Sequence, residues 1–130
     1  MDWQLAAPSV TGVEVTSDPG DDDTYVLNDA ITITLTFSEA VNVTGSPRLK
    51  IDMDPADWGE KWAVYQGGSG TNSLTFTHTV VEPNYSSLGI AVLADTLELN
   101  GGTIQADGLA ALLSHTGLDH DANHKVDWQG

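Results

Sequence analysis

Ala30-Ile-Thr-Ile-Thr-Leu-Thr-Phe-Ser-Glu-Ala-Val41 alternates apolar and polar side chains with a strict two-residue period, Ile31, Ile33, Leu35 and Phe37 against Thr32, Thr34 and Thr36. Successive side chains of a β-strand point to opposite faces, so this stretch buries one face and wets the other. Its threonines are β-branched, which suits an extended backbone and disfavours a helix. The strand is expected to end at Ser38-Glu39. A strand with one apolar face needs a second apolar surface to cover it.

The rest of the chain supplies that surface in pieces of the same kind. Ser9 to Thr16 sets Val10, Val13 and Val15 among polar residues, with Gly12 at a bulge or kink. Leu49, Ile51 and Met53 share one face of Arg48 to Asp54, and Leu74, Phe76, His78 and Val80 share one face of Ser73 to Val81. Lys61 to Tyr65 is a short strand closed by Gly67-Gly-Ser-Gly70, a hairpin-type connection. Ile90 to Leu93 is a further strand, continued by Leu97 and Leu99 until Gly101-Gly102, and His124 to Asp127 is the last. Residues 17–24, 42–47, 55–59 and 82–87 read as turns. Gly108 to Leu113 reads as one helical turn or an irregular apolar plug. About seven short strands without a long helical pattern predict an all-β fold, an immunoglobulin-like antiparallel β-sandwich.

With 130 residues the chain can bury one core but not two. Four Lys and Arg face 19 Asp and Glu, a formal charge of -15, which argues against nucleic acid or anionic lipid as a partner and favours cations or basic surfaces. The same charge serves simply to keep a protein soluble. Cysteine is absent, so disulfides and thiolate metal sites are excluded. No apolar run reaches the roughly 20 residues a spanning helix needs, and membrane insertion is not expected. No secretory signal follows Met1, which reads as an initiator in front of a piece of a longer chain.

Asp2-Trp-Gln4 recurs as Asp127-Trp-Gln129, one domain length away. The recurrence points to a tandem array whose junction is present twice. On that reading residues 1–8 are the linker from a preceding repeat, 9–127 the sandwich, and 128–130 the start of the next linker. Pro8 would stiffen the junction.

Four phrases carry a family resemblance: Thr36-Phe-Ser-Glu-Ala-Val-Asn-Val-Thr-Gly-Ser-Pro-Arg-Leu49, Tyr65-Gln-Gly-Gly-Ser-Gly-Thr71, Leu74-Thr-Phe76 and Leu97-Glu-Leu-Asn-Gly-Gly-Thr-Ile104. Together, over Val10 to Val126, the chain resembles the bacterial Ig-like tandem repeats of very long surface proteins and adhesins, the cyanobacterial long-protein repeats among them. The resemblance implies an extracellular or cell-surface stalk or spacer module, sometimes calcium-dependent and without catalysis. Its partners would be neighbouring repeats of the same chain, with surface glycans or proteins beyond them, and the isolated domain would be a monomer. His78 departs from the aromatic expected there, and either ring can fill an inward site.

Two acidic groups are the candidate metal ligands. Asp18, Asp21, Asp22 and Asp23 crowd one turn, with Asp29 shortly after. Ca²⁺ takes 6–8 oxygen ligands, and a cation would relieve the repulsion among these carboxylates. In immunoglobulin topology this turn is expected at the end where the last strand leaves, so Asp127 is a candidate further ligand. A second set, Asp119, Asp121 and Asn123 at alternate positions, lies among His115, His120 and His124. The histidine spacing matches no zinc signature, and calcium suits the acids better. Solvated acidic turns and a hydrogen-bonded loop account for the same residues without metal.

Trp58, Trp62, Tyr65 and Tyr85 raise a rival class, a carbohydrate-binding module stacking exposed rings on sugars, with Trp58 and Tyr85 as its candidates. Asn42-Val-Thr44 and Asn84-Tyr-Ser86 match the glycosylation acceptor pattern, which arises often by accident. Ser17, Ser38 and Ser114 lack a nucleophile-elbow setting, and no enzyme is expected. Self-association through sheet edges is a third possibility.

Overall fold

The structure, a computed structural model, describes residues 7–20, 22–53, 61–82 and 84–129. Eleven strands run through them: β1 (Val10–Val15), β2 (Thr24–Tyr25), β3 (Ala30–Thr44), β4 (Arg48–Asp52), β5 (Lys61–Gly67), β6 (Thr71–Thr79), β7 (Tyr85–Ser86), β8 (Ala91–Val92), β9 (Thr103–Ala106), β10 (Leu109–Ala110) and β11 (Lys125–Asp127). The larger sheet has the order β10-β9-β3-β6-β5-β4-β8, with β1 also on β3; the smaller is β2-β11-β7. All ladders are antiparallel except β2 with β11. The fold is all-β and sandwich-like, as the alternation predicts. The strands exceed the expected seven because five of them have only two or three residues.

Ile31, Ile33, Leu35 and Phe37 are all buried to within 1% of complete, and Leu74 and Phe76 on β6 pack beside them. Ile33 is level with Phe76 and Leu35 with Leu74, so the apolar face of one strand continues across the next. Tyr25 and Val126 bring the smaller sheet into the same core, which Leu49, Ile51, Ile90 and Ile104 complete. Gly12 sits at a register shift against Thr36, the expected bulge.

Three expectations are corrected. The central strand does not stop at Ser38-Glu39, and Asn42 to Thr44 is not a turn. After a register shift opposite β6 between Thr36 and Val41, β3 passes to a new partner, pairing Val43 with Ile104 and Thr44 with Thr103 of β9. The alternation survives the change of partner, since Val41 is buried like Phe37. Residues 108–113 do not form a helical turn: Asp107 and Gly108, at φ 51° and 79°, make a two-residue hairpin turn joining β9 to β10. Both central residues at positive φ give the twist that suits paired strands. Finally, β8 is not prolonged through Leu97 and Leu99. A turn at Ala94-Asp95 intervenes, and Glu98 forms one isolated bridge with Arg48.

The first and last described segments meet β3 at separate places, one midway along it and the other near its Ala30 end. Ser38 N–H donates to Ser9 O at 2.8 Å, which fixes the incoming segment beside Phe37 and Ser38. Trp128 N–H donates to Asn84 O at 3.1 Å, Asn84 N–H to Val81 O, and Asn28 N–H to Val80 O, at the Ala30 end. At about 3.3 Å per residue, Ala30 to Phe37 separates these points by roughly 23 Å.

Candidate functional site

Three of the candidate acids serve as turn residues. Oδ1 of Asp18 accepts from Gly20 N–H at 2.9 Å, Oδ1 of Asp121 from Asn123 N–H at 2.9 Å, and Oδ1 of Asp127 from Gln129 N–H at 3.0 Å. A short carboxylate reaching a backbone N–H two residues ahead mimics a backbone turn, which is why Asp is favoured at such places. Asp121 also precedes a single 3-10 turn, Ala122–His124, and satisfies its free donor. Asp23 takes the left-handed conformation at φ 55°.

Asp23 O accepts from Lys125 N–H at 2.8 Å, so the acidic turn lies beside the start of β11. Asp127, at the other end of that strand, is two residues or about 7 Å further along. Because β2 and β11 run parallel, the acidic turn meets the start of β11 and Asp127 stands at its far end. Among the described residues no three His, Asp or Glu side chains converge on a point able to hold a metal ion. Asp21 lies outside the described residues.

The three histidines of the second cluster part company. His115 is buried, and its Nε2 accepts from Thr96 N–H at 3.0 Å and Leu97 N–H at 3.2 Å. Its proton therefore sits on Nδ1, which donates to Thr116 O at 2.6 Å. His120 Nδ1 donates to Gly89 O at 2.6 Å, and its Nε2 faces Asp52 Oδ2 at 3.2 Å. His124 Nδ1 meets the Tyr25 hydroxyl at 2.9 Å. Each ring fastens a different pair of segments. His78, the fourth, lies between Trp62 O and Asn84 Oδ1, a satisfied inward residue at the end of β6.

Aromatic faces are mostly committed. The Arg48 guanidinium carbon lies 4.0 Å from the Trp62 ring centroid and the Lys50 ammonium 5.2 Å, so cations cover that ring. Tyr65 meets Phe76 edge-on, and Trp128 packs against the core. Tyr85 is 41% exposed on β7. Trp58 lies outside the described residues, so the expected pair with Tyr85 is not on view.

One cleft combines charge with an apolar floor. It has a volume of about 350 Å³ and is lined by Val13, Glu14, Val15, Ile90, Leu118, Asp119, Asp121 and His124. Asp119 and Asp121 are thus brought together, while Asp18, Asp22, Asp23 and Asp127 do not line it. Glu14 joins them from more than a hundred residues away. Its position in an ordinary half-buried strand carried no sign of this. Next to Ile90 of the lining, Gly89 has φ 90°, and a Cβ there would overlap the Asp121 carbonyl.

No protein-family model, curated protein or solved structure matches the chain.

Proposed function

We propose that the domain is a non-catalytic spacer unit of an extracellular or cell-surface protein, set in series with units like itself. The observation that carries this reading is the separation between Ser9, which is bonded to Ser38 midway along β3, and Trp128, which lies near the Ala30 end. A chain whose entry and exit are set apart along a strand adds length with every copy. The recurrence of Asp-Trp-Gln and the resemblance to bacterial Ig-like repeats support the same reading. Trp128, packed against the core, would set the angle at which the next unit departs.

Small-angle scattering on two copies joined through one Asp-Trp-Gln tests the proposal. A maximum dimension near twice that of the single domain is expected. A folded-back pair, no longer than one domain and a half, overturns it.

A further inference from the structure

The cleft runs along the edge of β1. Val13, Glu14 and Val15 are consecutive, and consecutive side chains of a strand point to opposite faces, yet all three line it. Only a groove beside the strand, in the plane of its hydrogen bonds, touches both kinds of residue.

Among the described residues, backbone groups on that edge have no strand partner. Thr16 N–H donates to Thr32 O at 2.9 Å, and the register runs Val15 to Ile33, Glu14 to Thr34 and Val13 to Leu35. Hydrogen-bonded pairs alternate along an antiparallel ladder, so Glu14 and Thr16 turn their N–H and C=O toward β3. Val13 and Val15 turn theirs away, into the cleft. Among the described residues β1 pairs with no strand other than β3. An open edge of this kind is a template for one more strand.

The wall opposite says what such a strand would carry. Asp119 and Asp121 face the edge across the cleft, Glu14 adds a third carboxylate, and no Lys or Arg lines it. Ile90, Leu118, Val13 and Val15 supply apolar contact between these charges. A second copy, also carrying a formal charge of -15, would be repelled. We propose that the β1 edge accepts an extended segment of another protein, with lysine or arginine alternating with apolar residues, as an added strand. Its backbone pairs with Val13 and Val15, its cations meet Glu14, Asp119 and Asp121, and its apolar side chains lie on the valines. This recognition goes beyond a spacer role and does not depend on it.

The test uses the whole chain and an acetylated, amidated peptide of four Lys-Val repeats, with amide hydrogen exchange as the readout. In the free protein the Val13 and Val15 amides are expected to exchange fast while Glu14 and Thr16 are protected. Saturating peptide should slow Val13 and Val15 by at least about tenfold. A Glu-Val counterpart, and a Lys-Val peptide methylated at alternate backbone nitrogens, should each bind at least about tenfold more weakly. Four results overturn the proposal: no binding at about 1 mM peptide, binding without protection at Val13 and Val15, equal binding of either control, or protection of the same amides by the protein's own self-association.

Discussion

The Tyr25 hydroxyl lies 2.9 Å from Nδ1 of His124, and the two rings stack with centroids 5.9 Å apart at an interplanar angle of 18°. The contact ties β2 to the 3-10 turn before β11, almost a hundred residues later. The same hydroxyl lies 2.7 Å from Ser17 Oγ, so one buried phenol joins the segment just after β1 to the 3-10 turn that leads into β11. Tyr25→Phe should cost about 1–2 kcal/mol, because it leaves buried partners without their hydrogen bond. Urea unfolding followed by fluorescence checks it, as a lower midpoint at an unchanged slope.

Burial pushes the Tyr25 phenol above its ordinary 10.0, Asp18 and Asp29 push it the same way, and the Ser17 hydrogen bond opposes them. The unfolded chain then gives up this proton first, so in strong alkali the folded state holds more protons. The contribution is fully present below about pH 10 and is lost as pH rises through the folded value. An ultraviolet titration should show Tyr25 ionising late, together with loss of the folded state. Tyr25→Phe should abolish that late step.

His115 accepts two N–H groups and donates to one carbonyl while buried. His115→Leu should therefore cost about 2–4 kcal/mol, since apolar shape replaces none of these bonds and buried donors are left unsatisfied. Loss of protection at the Thr96 and Leu97 amides would place the damage in the 94–97 turn. An unchanged midpoint would contradict the assignment.

Gly89→Ala combines a positive φ with overlap against the Asp121 backbone. Gly89 O also accepts from Ser86 Oγ and from the His120 ring, and Ile90 N–H donates to His124 O, so the neighbouring chain has little room to retreat. A loss of about 3 kcal/mol or more is expected. Thermal unfolding of the variant checks it.

Asp18, Asp121 and Asp127 each hold a backbone N–H in a turn. Asp121→Asn should keep the cap and most of the stability, whereas Asp121→Ala should lose about 1 kcal/mol. Millimolar Ca²⁺ should raise the melting temperature no more than Mg²⁺ at equal ionic strength, because both screen the formal charge of -15. A saturable heat of binding specific to calcium, abolished by Asp18→Asn, would show that these acids do more than cap turns.

The period of Ile31 to Phe37, its echo in Leu49 to Met53 and Leu74 to Val80, and the turns between them made the all-β class and the inward residues readable from the chain alone. The bulge at Gly12 was readable for the same reason: pleat and backbone freedom are properties of a residue and its near neighbours. Which strand takes up Asn42 to Thr44, where His115, His120 and His124 go, and that Glu14 meets Asp119 and Asp121 were not. Those outcomes depend on pairing between segments tens of residues apart. Asn42-Val-Thr-Gly45 is equally good as a turn until β9 offers it hydrogen bonds, and nothing in the sequence says that Asp18, Asp121 and Asp127 each bond a backbone N–H two residues on. Local alternation decides which face is buried; only packing in three dimensions decides what lies against it.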